Sequence, residues 1–161
     1  MTLVCTDWET LRLALAEEIA CRIEGLQGDF RFLSNFHPAR IEVDRIVYPT
    51  VEHAYQAAKT TDRAEKLEIA ALPTPGRAKR HRVRLREDWN DVKLGIMESL
   101  VELKFGVQDD LCEMLCATGN SDIQETNTWG DRFWGVCQGA GENHLGRILM
   151  RVRAKLHSRG L

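Results

Sequence analysis

Two stretches gather side chains able to do chemistry. In Tyr48-Pro49-Thr50-Val51-Glu52-His53-Ala54-Tyr55-Gln56 a carboxylate, an imidazole, a phenol and an amide follow a proline. In Glu125-Thr126-Asn127-Thr128-Trp129-Gly130-Asp131-Arg132-Phe133-Trp134-Gly135 two acids, an asparagine and two tryptophans are broken by glycines. That mixture makes a poor helix and a poor central strand, and irregular polar and aromatic segments of this kind are where binding sites tend to sit. A carboxylate can accept a proton or stabilise a developing cation. A first-turn Glu can equally do no more than complement the helix dipole. A third stretch, Arg77, Lys79, Arg80, His81, Arg82, Arg84 and Arg86, is densely basic and suits phosphate, a nucleic-acid backbone or a solvated charged face.

These groups need elements to hold them. Pro49 and Thr50 are helix-start residues, so a helix begins at Val51 with Thr50 as N-cap. On it Glu52, Tyr55, Gln56 and Lys59 share one face, while Val51, Ala54 and Ala58 form an adjoining apolar stripe. Upstream, Trp8, Leu11, Leu15, Ile19 and Ile23 recur at spacings of three and four, which predicts an amphipathic helix over 7–24 capped by Asp7 or Thr6 and stopped by Gly25 or Gly28. Extended runs follow at Phe30–Leu33, Ile41–Val43 and Ile46–Tyr48, the last two forming a hairpin across Asp44-Arg45. Between them, Asn35 can cap a turn or hydrogen-bond a ligand.

Asp62 opens a helical pattern that runs through Ala71, and Pro73-Thr74-Pro75-Gly76 starts another with Thr74 as N-cap. Asp88 caps a core helix through Val92, Ile96, Leu100, Leu103 and Phe105 that stops at Gly106, with Trp89 in its first turn either stapling the core or lining a pocket mouth. A shorter helix spans 108–117. Asn143 caps a terminal helix with Leu145, Ile148, Leu149, Val152 and Leu156 inward and Arg147, Arg151 and Arg153 on the remaining surface.

Composition bounds the rest. At 161 residues, 43% hydrophobic and 29% charged, the chain fits one domain, residues 1–161, with a sizeable core. A formal net charge of −2 sets no global preference for nucleic acid. No apolar run approaches bilayer length, and Asp7, Glu9 and Arg12 interrupt the N-terminus, so a cytoplasmic protein is expected. Cys5, Cys21, Cys112, Cys116 and Cys137 contain no C-x-x-C pair and read as reduced, buried thiols. His37, His53, His81, His144 and His157 are scattered without metal-ligand spacing, and neither zinc nor a cofactor is expected.

Taken together, the dense stretches resemble the YbiA-like, or NADAR, family. The matching pieces are Phe32-Leu33-Ser34-Asn35-Phe36, Tyr48 through Lys59, Pro73-Thr74-Pro75-Gly76 with Ala78-Lys79-Arg80, Leu85-Arg86 with Asp88-Trp89, and Val101 with Lys104-Phe105. They continue with Thr118-Gly119, Glu125-Thr126-Asn127 with Trp129 and Asp131, Phe133 through Cys137, and Asn143 with Leu145-Gly146 and Leu149-Met150. The resemblance covers a core of residues 28–156 and leaves residues 1–27 outside it. It implies a mainly α, single compact helical domain with a small β-hairpin, and an N-glycosidase.

By the same resemblance, the substrate is a riboflavin-pathway ribosylaminopyrimidine phosphate. The alternatives are ADP-ribose carried on guanine bases or nucleic acid, and a non-catalytic module that binds a nucleotide or ADP-ribose. The partner is thus a phosphorylated ribosyl heterocycle or an ADP-ribosyl group, with nucleic acid a further candidate and no membrane. The chain departs from the family pattern at Arg80-His81-Arg82-Val83, which is shorter, and at Asp44-Arg45, which replaces an Asp-Gly turn.

Cleaving a ribosyl C–N bond passes through an oxocarbenium-like state, which needs an anion near C1′, activated water and help for the departing base. Glu52 and Asp131 are the expected catalytic acids. Phe36, Trp89, Trp129 and Trp134 are candidates to stack on the heterocycle, Asn35 and Asn127 to read ribose or base edges, and Tyr55 and Gln56 to complete the pocket wall. Lys59, Lys79, Arg80 and Arg86 are candidates for the phosphate.

Overall fold

The computed structural model describes residues Met1–Gly160, and the chain falls into two compact units. One combines Met1–Ser34 with the chain from Phe105 onward, and the other is Asn35–Lys104. The fold is mainly α-helical, with short sheets. No helix among the described residues is long and apolar enough to cross a membrane.

In the first unit, β1 (Leu3–Cys5) leads into α1 (Trp8–Ala16), whose N-cap Asp7 accepts from the Thr10 amide. The helix expected over 7–24 ends at Ala16: Glu18 turns left-handed with φ 54°, and Cys21–Glu24 forms β2 instead. Ile19 and Ile23 fit a helical period, but Cys21 and Ile23 also alternate inward at a strand's period of two. The parallel ladder to β1, with Cys5 opposite Ile23, selects the strand.

Gly28–Leu33 is a 3₁₀ helix rather than the expected extended run. Gly28, with φ 56°, turns the chain so that Phe30 and Phe32 pack on Trp8 at ring centroid distances of 5.2 and 5.9 Å.

The second unit opens with the expected hairpin, β3 (Ile41–Val43) on β4 (Ile46–Tyr48). Asp44 and Arg45 both have positive φ, 51° and 64°, as a two-residue hairpin turn requires. α2 (Val51–Ala57) starts where Thr50 predicts, and α3 (Arg63–Ala70) is capped by Asp62. α4 (Pro75–Arg80) is capped by Thr74, with Pro75 in its first turn. α5 (Trp89–Val107) buries Met97, Leu100 and Val101 in this unit. Both carboxylate oxygens of Asp88 accept from the Arg86 guanidinium, so its expected capping group is engaged by an ion pair.

Back in the first unit, α6 (Asp109–Ala117) precedes β5 (Asp122–Gln124), which extends the parallel sheet to the order β1-β2-β5. β6 (Thr126–Asn127) and β7 (Val136–Cys137) form a short parallel pair, and α7 (His144–Ser158) closes the described chain. Its expected inward residues are all buried. Asn143 stands at its N-cap, yet the side chain makes no capping bond. It accepts from the Glu125 amide at 3.0 Å and donates to the Ile123 carbonyl at 2.9 Å, tying α7 to β5. Arg153, expected on the surface, is buried and donates to Thr118 Oγ1 and to the Ser121 carbonyl, both at 2.8 Å.

Candidate active site

Glu52 is fixed by the start of α2. Thr50 is extended, and its hydroxyl accepts from the His53 amide at 3.2 Å, a cap worth about 1 kcal/mol. The Glu52 amide donates to the Asn35 carbonyl at 3.1 Å, which ties this turn to the segment before the hairpin. All seven residues of α2 are buried, and Glu52 is only 7% exposed. Its Oε1 accepts from Gln56 Nε2 at 2.7 Å.

Burial pushes the Glu52 carboxyl above the usual range, against the pull of the Gln56 hydrogen bond and of the Lys79 and Lys59 ammonium groups. Lys59 is affected in the opposite sense: burial lowers its pKa, Glu52 raises it and Lys79 lowers it further. A carboxylate whose charge is opposed by burial and favoured by neighbouring cations is a candidate functional group.

Aromatic rings line the same cluster. Tyr55 and Trp89 meet at 5.2 Å with a tilt of 55°, and Lys59 Nζ stands 5.5 Å from the Tyr55 ring and 5.9 Å from the Trp89 ring. Lys79 Nζ lies 5.8 Å from the Phe36 ring. Asn35 Nδ2 donates to the Met97 sulfur at 3.4 Å. Asn35, Phe36, Glu52, Tyr55, Gln56, Lys59, Lys79 and Trp89 therefore share one unit and a chain of mutual contacts. Met97 and His53 also belong to it. Met97 reads by sequence as one more apolar position, whereas His53 lies in the stretch whose residue types already mark it, without a role assigned to it there.

Of the two remaining expected phosphate ligands, Arg86 joins this cluster through its backbone amide, which donates to the Lys59 carbonyl at 2.8 Å. Arg80 is exposed at the end of α4. Arg86 is engaged by Asp88 at 2.5 and 2.9 Å, and it borders a cavity of about 580 Å³ with Tyr48, Ala54, Ala58, Ile96 and Leu100.

In the first unit, Asn127 and Asp131 build a loop. Asn127 is buried, accepts from the Asp131 amide at 3.1 Å, and donates to the carbonyls of Asp131 and Val136 at 2.7 and 3.3 Å. Asp131 Oδ1 accepts from the amides of Phe133 and Trp134 at 3.1 and 2.9 Å. That turn presents Trp134 edge-on to Phe133 at 4.9 Å and near His144 at 6.4 Å. Trp129 is 64% exposed. Gly135 is required here, since a Cβ would lie 2.2 Å from the Glu125 carbonyl oxygen.

The arrangement is a buried carboxylate flanked by two cations and an aromatic wall on a mainly helical scaffold. Comparison with known proteins gives the family. The NADAR domain model matches residues 25–157. N-glycosidase YbiA of Escherichia coli is 37% identical over 134 residues, covering 80% of this chain and 81% of that protein. N-glycosidase Npun_R5314 of Nostoc punctiforme is 39% identical over 135 residues, covering 78% and 85%.

The riboflavin biosynthesis protein VVA0006 of Vibrio vulnificus is 37% identical over 132 residues, 78% of this chain but only 35% of that longer protein. The NMR structure of E. coli YbiA superposes with a TM-score of 0.76 at 32% identity, covering 86% of each chain. The chain belongs to the NADAR family, and with it to the hydrolases that act on N-glycosyl bonds.

Proposed function

We propose that this protein hydrolyses the C1′–N bond of a phosphorylated ribosyl heterocycle, of the ribosylaminopyrimidine phosphate kind, with Glu52 as the essential carboxylate. The observation that carries the reading is the buried Glu52, bonded by Gln56 and acted on by Lys59 and Lys79 beside the Tyr55 and Trp89 rings. The riboflavin-biosynthesis names of some relatives support the substrate class.

In the reaction the C1′–N electron pair leaves with the base, whose nitrogen gains a proton, and water adds to C1′. Glu52 stabilises the cationic sugar or takes the proton from that water. Trp89 and Tyr55 supply faces for the heterocycle, and Lys79 and Lys59 supply charge for phosphate. Asp131 is the proposed second acid, acting through a carboxylate whose Oδ1 is oriented by two backbone amides. Incubation with ribosylaminopyrimidine phosphate should release the free pyrimidine and ribose 5-phosphate, followed by chromatography. Intact substrate after prolonged incubation overturns the reading.

A second reading is favoured by the exposed guanidinium-bearing residues Arg80, Arg82 and Arg84, which follow one another at spacings of two. They suit a nucleic-acid backbone, and the substrate would then be ADP-ribose on guanine in a nucleic acid. Replacing the three with Gln should weaken binding of ADP-ribosylated oligonucleotide and flatten its salt dependence. Turnover of the free pyrimidine substrate should be unaltered. Unchanged oligonucleotide affinity would remove this reading.

A further inference from the structure

His53 neighbours Glu52 in sequence, is 1% exposed, and has both ring nitrogens engaged. Nε2 lies 3.0 Å from the Leu72 carbonyl oxygen, which can only accept, so Nε2 carries the proton. Nδ1 of the neutral ring then accepts, and the Thr50 hydroxyl 2.8 Å away donates to it. The same hydroxyl accepts from the His53 amide at 3.2 Å. The roles are consistent around the circuit, and burial, opposed by the Leu72 bond, lowers the imidazole pKa and keeps it neutral.

What the circuit joins matters for the site. Leu72 ends the turn after α3, and the chain then runs through Pro73, Thr74 and Pro75 into α4. Two prolines restrict that connection. Thr74 caps α4 by accepting from the Arg77 amide at 3.2 Å, and Ala78 is buried. Lys79 is the next residue, and its Nζ lies 5.8 Å from the ring of Phe36, the chain neighbour of Asn35, whose carbonyl accepts from the Glu52 amide at 3.1 Å.

Resting on the proposed role of Glu52, we propose that His53 is a positioning residue: by tying the first turn of α2 to the Leu72 carbonyl it holds Lys79 in register with Glu52. Glu52 is approached by few charges. Lys59, two residues beyond α2, and Lys79, on α4, are the charged groups that act on it, and Gln56 supplies the hydrogen bond. Lys79 is thus the cation whose distance depends on the α2–α4 connection. With His53 truncated, the Leu72 carbonyl loses its donor, the chain entering α4 loses its hydrogen-bonded tie to the first turn of α2, and the carboxylate loses part of its attraction to Lys79.

The test titrates the Glu52 carboxyl carbon by NMR and follows kcat/KM against pH for base release in the full chain. In His53→Ala the Glu52 titration and the acid limb of the profile should both move to higher pH. His53→Gln should restore both, because its amide reaches the Leu72 carbonyl. In a Lys79→Met background, where there is no cation left to position, His53→Ala should add no further shift.

An unmoved titration in His53→Ala, or an equal shift in both backgrounds, overturns the proposal and leaves His53 a packing residue. If His53→Ala does not fold, His53→Asn takes its place: Asn reaches Thr50 but not Leu72, so it should shift the titration where Gln does not, and identical titrations in the two overturn the proposal. Glu52→Gln run alongside separates the two levels. Surviving turnover there overturns the reading of Glu52. An inactive Glu52→Gln with an unmoved His53→Ala titration overturns the role of His53 alone.

Discussion

Replacing Glu52 with Gln separates catalysis from folding, because the two respond in opposite directions. The substitution keeps shape and leaves an oxygen to accept the Gln56 bond now made at 2.7 Å. It removes the charge. A positioned acid or base contributes about 10²–10⁴-fold, so kcat should fall by that factor, or ~3–5 kcal/mol in barrier height.

Stability should move the other way. Burial raises the folded pKa of Glu52 above its unfolded value of 4.5. Such a group favours the fold below the unfolded pKa and loses that contribution as pH rises through the folded pKa. At neutral pH the wild type therefore carries the cost of an ionised buried carboxylate, which the Gln variant lacks. Each kcal/mol of relief is worth about 2–4 °C in a chain of this size.

The assay is base release together with thermal melting of both proteins at pH 4 to 8. The melting advantage of Glu52→Gln should grow with pH while its turnover is lost. Retained turnover would take the catalytic role from Glu52, and a variant that melts below wild type at pH 8 would show that the buried carboxylate carries no cost.

Asp131→Asn keeps an oxygen for the Phe133 and Trp134 amides, so a proposed second acid predicts lost turnover with unchanged melting; unchanged turnover would make Asp131 a loop residue only. Lys104 is 1% exposed, and burial lowers its pKa from 10.5 to about 7. The unfolded chain binds the extra proton between those values, so this group makes stability rise with pH from about 7 to 10.5, by at most ~1.4 kcal/mol per pH unit. Urea unfolding of Lys104→Met against wild type should show a difference that changes across this window, and a pH-independent difference would count against it. Gly135→Ala brings a Cβ to 2.2 Å from the Glu125 carbonyl oxygen and should cost about 1–3 kcal/mol or more, read as a lowered melting temperature. Melting within about a degree of wild type would show that β6 and β7 can separate freely.

What could be read from the chain alone was local. Thr50, Asp62 and Thr74 cap α2, α3 and α4 where their types and the neighbouring prolines place them, because a cap bond closes within three residues. The Asp44-Arg45 turn follows from the two extended runs it joins. The face carrying Glu52, Tyr55 and Gln56 follows from helical period, whereas Lys59 lies two residues beyond the end of α2, and it joins the cluster with Asn35, Phe36, Lys79 and Trp89 through contacts no spacing encodes.

Where local preference met a stronger distant partner, the distant partner decided. Ile23 fits a helix by spacing, and pairing with β1 and β5 makes it strand. Phe30 and Phe32 alternate like a strand, and packing on Trp8 curls them into a 3₁₀ turn. Asp88 and Asn143 are good caps by type, but Arg86 engages one and β5 the other. Arg153 reads as a surface charge until Thr118 and Ser121 take its donors.

Where the helix bearing Glu52 begins, and which of its side chains share a face, can be read from the chain, since both depend on bonds and angles within a few residues. That this carboxylate is buried among a distant lysine and aromatic rings, and that His53 reaches the Leu72 carbonyl, comes from tertiary packing. Burial and charge are properties of what surrounds a group, and those surroundings come from chain segments far apart in sequence.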